Sequence, residues 1–292
     1  MSAWRWPAGV RCGVFLSVNF DAESHDLHNT VEKRLYGRFS YGRYGTRGGF
    51  PRLTGLLRKH GIAATFFVPA ADAQRHAGHI RTLVDEGHEI AARGVHLENF
   101  AELGDKERDT LARSREILGK ACGTAPVGFR APGYSLSVHT LGHLAVLGFE
   151  YDASFQDDDY PYRFDLGGGR TLVEIPTCFA LDDGPGYMGR HSHLRLMQGW
   201  RDEFDAMHEA GTLVPLVLHL RGDIGSTRAA RIAALDGFLA HVKSKPGVRF
   251  MQGRELAAHA RALELAGEPD PAAAHLETLK VTPFRGDISG KP

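Results

Sequence analysis

Apolar positions along the chain fall into two alternating patterns. Short continuous runs occupy residues 12–20 (CGVFLSVNF) and 63–68 (AATFFV), with shorter ones at 88–92, 127–130, 172–175, 213–219 and 248–251. Their length and their content of β-branched and aromatic residues predict strands buried on both faces. Between them apolar residues recur at helical spacing, as in Met197, Trp200, Phe204 and Met207, or Ile232, Leu235, Leu239 and Val242, which predicts amphipathic helices. Buried strands interleaved with such helices imply an α/β fold, either a barrel or a doubly wound sheet. Glycine-rich stretches at 42–49, 167–169 and 183–186 read as loops. With no internal repeat and no long linker, residues 1–262 are expected to form one domain. Residues 263–292, rich in Ala, Glu and Pro, read as a short helix and a loose tail.

Composition narrows the function classes. Lys+Arg and Asp+Glu balance at 35 each in 292 residues, so no net field recruits nucleic acid or a membrane surface. No apolar stretch approaches the ~18 residues of a membrane span. The first residues lack the apolar core of a secretory signal, so a cytoplasmic protein acting on a small molecule is expected. The three cysteines, Cys12, Cys122 and Cys178, form no CxxC pair, which argues against a disulfide framework. The 16 histidines are scattered. Neither a G-x-S-x-G elbow nor a Walker loop occurs, so serine-hydrolase and P-loop nucleotide chemistry lack support.

In a parallel barrel the chemistry gathers where strands end. Asn19, Asp21, Glu23 and His25 follow the first apolar run, Arg93 and His96 the third, and Arg130 ends the fourth; Asp152 follows Gly148, and His219 ends the run at 213–219. A carboxylate, two arginines and a histidine arriving together can supply a base, anion stabilisers and an acid. Plainer readings stand beside these. Asp21 suits a turn cap, Arg93 a structural ion pair, His96 a local hydrogen bond, and Asp152 a clamp on backbone amides. Arg130 suits a brace for Asp21 as well as a substrate contact. Asp182-Asp183 before Gly184 reads most simply as a turn, and Cys178 has no cue for a reactive thiol.

Several of these segments, in order, resemble motifs of the polysaccharide deacetylase (NodB-homology) superfamily. Val18-Asn19-Phe20-Asp21-Ala22 resembles its V-D-x-D-A, and Gly87-His88-Glu89-Ile90-Ala91-Ala92-Arg93-Gly94-Val95-His96-Leu97-Glu98 its G-H-E-I-x-x-H-G-x-x-H-E. Phe129-Arg130-Ala131-Pro132-Gly133 resembles R-A-P-G, and Tyr151-Asp152-Ala153-Ser154 resembles Y-D-S-S. Glu174-Ile175-Pro176 with Leu181-Asp182-Asp183 resembles E-I-P…L-D-D, and Leu218-His219 the late T-x-H-P. The resemblance runs from about residue 10 to residue 258 and implies a single distorted (β/α) barrel of about seven parallel strands. It also implies a divalent cation held by two histidines, and those positions here are Arg93 and Leu97, neither of which has a lone pair to offer zinc. Residues 35–52 are similar to the Arg- and Gly-rich insertion of cyclic imide hydrolases, and allantoinases of the superfamily also lack a complete metal set.

The resemblance thus implies a hydrolase of carbon–nitrogen bonds other than peptide bonds, opening a small cyclic amide (imide, hydantoin or allantoin-like) with no metal cofactor. Asp21 would orient or deprotonate water, Arg130 or Arg93 would stabilise the oxyanion, and His219 would protonate the departing nitrogen. Asn19, Glu23, Arg93, His96 and Asp152 are the candidate substrate contacts. The alternatives are a metal-dependent N-deacetylase, with zinc on Asp21 and a rearranged shell such as His25 or His96, and a non-catalytic barrel that binds a ligand. Relatives in this branch imply a homo-oligomer, with no nucleic-acid or membrane partner.

Overall fold

A computed structural model describes residues 4–28, 37, 40–263 and 265–272. In chain order its elements are β1 (Cys12–Asn19), α1 (Glu23–His28), α2 (Tyr41–Tyr44), α3 (Phe50–His60), β2 (Thr65–Val68), α4 (Ala70–Arg75), α5 (Ala77–Asp85), β3 (Glu89–Ala92), α6 (Glu107–Cys122), β4 (Gly128–Phe129), α7 (Thr140–Val146), β5 (Tyr151–Asp152), β6 (Tyr162–Asp165), β7 (Thr171–Glu174), α8 (Asp183–Met188), α9 (His193–Ala210), β8 (Val214–His219), α10 (Ala229–Ser244), β9 (Val248–Phe250), α11 (Gly253–Ala262) and β10 (Gly267–Pro269). Among the described residues, no helix is long and apolar enough to cross a membrane.

The fold is α/β, as the alternation of patterns predicts. One sheet runs β10-β6-β7-β5-β4-β3-β2-β1-β8, with β9 also on β1. Only the β6–β7 hairpin is antiparallel; the other pairs are parallel. Between β8 and the β5–β7 edge the seam is spanned by single contacts: Leu213 N donates to Asp159 O at 3.0 Å, and Asp182 bridges Val217.

Strand alternation sorts side chains onto two faces of this sheet. Val14, Leu16, Val18, Phe66, Val68, Ile90, Ala92, Phe129 and Leu218 pack outward among helix residues such as Leu53, Leu111, Trp200 and Phe238. Phe15, Phe67, Ala91, Tyr151 and Val173 pack inward on one another in a second core. This parity decides which strand-end residues can share a site. Helix α9 shows how local signals fix an element: the Ser192 side chain accepts from Arg195 N at its start, and Gly211 at φ 75° ends it in a left-handed conformation.

Two expectations are corrected. Residues 42–49 are not a loop: α2 continues into a π-helical segment, Gly45–Gly49, and then α3. Close approach of backbones requires the glycines there, since a Cβ at Gly42 would lie 2.3 Å from Ala22 O and one at Gly49 2.7 Å from Leu220 O. Residues 267–269, expected within a helix and tail, instead add β10 to the sheet beside β6. Residues 35, 36, 38 and 39 of the expected insertion, and residues 264 and 273–292 of the expected tail, lie outside the described residues.

Candidate active site

Asn19 and His219 end two neighbouring strands in register, and Asp21, Arg93 and Arg130 follow β1, β3 and β4 on the same inward parity. All five are buried. The structure therefore brings together residues that are up to 200 positions apart.

Asp21 and Arg93 form a two-point ion pair: Arg93 Nε donates to Asp21 Oδ1 at 2.7 Å and Nη2 to Oδ2 at 3.1 Å, while Nη1 donates to Ala131 O at 3.3 Å. Burial alone would raise the Asp21 pKa, but the charge and hydrogen bonds of Arg93, with His219 nearby, hold it below the usual carboxylate range. Asp21 is thus a fixed anion, and the plainer reading of Arg93 as an ion-pair partner describes its contacts.

His219 is oriented from both ring nitrogens. Nδ1 lies 2.8 Å from Asp183 Oδ1 and Nε2 lies 3.0 Å from Asn19 Nδ2. An amide nitrogen can only donate, so the arrangement selects the tautomer with its proton on Nδ1. Desolvation depresses the His219 pKa, yet the Asp183 hydrogen bond and the charges of Asp182, Asp183 and Asp21 outweigh it and leave the value raised. Asp183 Oδ2 also accepts from Ser226 N at 2.7 Å, and Asp182 takes Tyr134 Oη–H at 2.9 Å and Gly184 N–H at 2.8 Å. The Asp182-Asp183 turn of the sequence does cap α8, but it also supplies the carboxylate behind His219. Two acids before a glycine carried no signal for that role, because it depends on a contact across 36 residues.

Arg130 is enclosed, with 0% exposure. Its Nε donates to Ala153 O at 2.9 Å and Nη1 to Ser17 Oγ at 2.9 Å and Asn19 Oδ1 at 3.3 Å, and its guanidinium carbon lies 4.0 Å from the Phe67 ring centre. It braces Asn19, and through it His219, rather than Asp21. Asn19 is held in one amide orientation by Arg130 on its oxygen and His219 on its nitrogen.

The remaining candidates have partners of their own, and His25 is near enough to Asp21 for its charge to help hold that pKa down. Asp152 lies on the opposite face of β5 from Tyr151, where its oxygens take Ser154 N–H and Oγ–H and it pairs with Glu174 across the sheet. Glu23 contacts His76 at 2.5 Å on the helix after Asp21. The His96 ring stacks on His28 with centres 4.0 Å apart; the next residue, Leu97, is buried and holds φ 65°, uncommon for an apolar side chain. His25 lies 3.7 Å from Asp26 Oδ1.

The Asp152–Glu174 pair carries its own prediction. Burial raises Asp152 to about 6 and Glu174 well above its ordinary value, with Asp152's charge adding to the latter. Raised carboxyl groups favour the folded state below the unfolded pKa of about 4 and lose that contribution as pH rises through the folded values, at up to about 1.4 kcal/mol per pH unit per proton. Glu174→Gln should therefore flatten the decline of urea-unfolding stability between pH 5 and 8; an unchanged slope would show that the pair does not share a proton.

The resemblance implies a divalent cation, and the residues at those positions do not fit one. Arg93 and Leu97 offer no lone pair, and both Asp21 oxygens accept from Arg93. Ligand atoms of Asp182, Asp183 and His219 do converge within 4.8 Å. Every carboxylate oxygen of that group already accepts a protein N–H or O–H, so hydrogen bonding accounts for the cluster.

The polysaccharide deacetylase family model matches residues 28–151. A peptidoglycan deacetylase of Helicobacter pylori (strain ATCC 700392 / 26695) is 28% identical over 254 residues, spanning 75% of this chain and 85% of its own. A crystal structure from Mycobacterium smegmatis, described as that of a polysaccharide deacetylase, superposes with a TM-score of 0.85 at 35% identity over 92% of this chain and 96% of its own. An allantoinase structure superposes with a TM-score of 0.78 at 25% identity, covering 88% and 92% of the two chains.

Proposed function

The chain belongs to the polysaccharide deacetylase family of hydrolases, and from that premise we propose that it opens a small cyclic amide at a carbon–nitrogen bond without a metal ion. The observation that carries this reading is the Arg93 guanidinium bonded at 2.7 and 3.1 Å to Asp21. A fixed organic cation beside the carboxylate is a weaker electrophile than a divalent ion. It suits a ring imide or ureide, whose carbonyl is already activated, better than an acetamide. The likeness to an allantoinase supports the same substrate class.

In this reading His219 carries the proton. Its Nδ1–H stays on Asp183, and Nε2 exchanges Asn19 for the attacking water and takes its proton as the oxygen bonds the ring carbonyl carbon. The same proton then passes to the ring nitrogen as the C–N bond breaks, a role suited to an imidazole whose pKa is raised by the carboxylates around it. Asp21 orients the water; its depressed pKa makes it a poor proton store. Arg93 keeps N–H groups beyond its three bonds to Asp21 and Ala131. These donate to the developing oxyanion, a contribution of about 3–4 kcal/mol for a well-placed donor.

The test assays purified protein on succinimide, hydantoin and allantoin, and on acetylated chitin oligomers, with and without a chelator. Ring opening at the same rate in chelator, with no stoichiometric metal by elemental analysis, is expected. Leu97→His alone should not create a tight zinc site, because Arg93 still opposes a cation; calorimetric titration checks this. Chelator-sensitive deacetylation of the oligomers with the rings untouched would favour the metal-dependent N-deacetylase, a reading that the likeness to a peptidoglycan deacetylase supports. Binding of a ring or oligomer without turnover would favour a non-catalytic barrel.

A further inference from the structure

The two halves of the Asp21–Arg93 pair come from separate strands, yet one short stretch of chain holds the residue after each. Ala70 N and Ala71 N donate to Gly94 O and Val95 O, both at 3.0 Å, which fixes the turn leaving Arg93. The next residue, Asp72, is fully buried at the start of α4, and its two oxygens accept from Ala22 N at 3.0 Å and Ser24 N at 3.1 Å, which fixes the turn leaving Asp21. Burial raises its pKa to about 6 against the pull of Ser24 and Arg75, so near neutrality it is an ionised, acceptor-only group matched to two amide donors.

We propose that Asp72 is a positioning residue, which sets the register between Asp21 and Arg93 by tying the Asp21 turn to the chain directly after Ala70 and Ala71, the two residues that hold the Arg93 turn. A two-point ion pair tolerates little error in either partner, and misplacement of a reacting group by a fraction of an ångström lowers turnover without removing any group that touches substrate. Only the expected effect on turnover rests on the function proposed above; the effect on the pair does not.

The experiment follows the Arg93 Nε–H signal in nitrogen-15-labelled protein, together with kinetics, for Asp72→Ala and Asp72→Asn, with Arg75→Ala as control. Asp72→Asn keeps the volume and one acceptor but turns an N–H donor toward an amide donor, so it serves if the alanine variant does not fold. Expected are a shift of the Arg93 signal and solvent exchange about tenfold faster in the Asp72 variants, with kcat lowered about tenfold to a hundredfold and KM little changed. Arg75→Ala, read at pH 8 so that Asp72 stays ionised without the cation that lowers its pKa, should leave the signal as in the wild type, because Ala22 N and Ser24 N keep their acceptors. A folded Asp72 variant with the wild-type Arg93 signal and exchange overturns the proposal, whatever its thermal stability. Should the wild type open no ring at all, the functional reading fails while the Arg93 signal still decides the role of Asp72.

Discussion

Replacing His219 by alanine is expected to lower kcat/KM for ring opening by about a hundredfold to ten-thousandfold, with the fold retained. The imidazole is the group at this centre with both a raised pKa and a nitrogen facing a replaceable partner, since among the described residues Nε2 meets the Asn19 amide. Asp183→Asn should reproduce part of the loss. It removes the anion that holds Nδ1–H at 2.8 Å and leaves one amide oxygen to serve His219 and the Ser226 N–H, which now share two. Steady-state kinetics across pH would check both, and the wild-type rate should be governed by a pKa above the ordinary histidine value. A His219→Ala enzyme within a few fold of wild type would exclude the imidazole as proton carrier.

The second large effect is on stability. Arg93→Met is expected to cost about 3–5 kcal/mol near neutral pH, because it leaves Asp21 buried and ionised without its counter-charge. The pH dependence follows from the depressed Asp21 pKa. In the wild type its contribution is present above the unfolded value of about 3.9 and is lost as pH falls through the folded value. Without Arg93, burial dominates and the Asp21 pKa rises. The penalty in the variant should then shrink on acidification, the opposite of the wild-type trend. Asp21→Leu combined with Arg93→Met should cost less than the two single changes added together, since the pair shares one interaction. Urea unfolding of the four proteins at pH 5 and 7.5 measures this, and additive costs would mean that the ion pair contributes nothing.

Much of the frame was legible in the residues. Continuous apolar runs marked β1, β2 and β8, helical spacing marked α9 and α10, and polar residues at strand ends pointed to Asn19, Asp21, Arg93, Arg130 and His219. Strand parity is readable too once the strand limits are known, and it separates Asp152 from that group: Tyr151 faces inward, so Asp152 faces the other way onto Glu174 and Ser154.

Other features depended on neighbours distant in sequence. Gly42, Gly45 and Gly49 stand at near-helical spacing, but their abundance imitates a loop, and only the backbones of Ala22 and Leu220 explain them as a close-packed helical face. Asp183 matched a turn because its local role is a turn; its bond to His219 exists only after β8 closes against α8. Arg130 was open between a substrate contact and a brace for Asp21, and the fold shows its bonds going to Asn19, Ser17 and Ala153 instead of Asp21. By itself the sequence determined the alternation of the main strands and helices and which residue types stand at strand ends, because period and hydrophobicity are local properties; it missed the helical run at 42–49 and the strands β6 and β10. Tertiary structure alone decided the partners of each polar group, because a buried hydrogen bond is chosen by what the fold brings within about 3 Å, not by what lies adjacent in the chain.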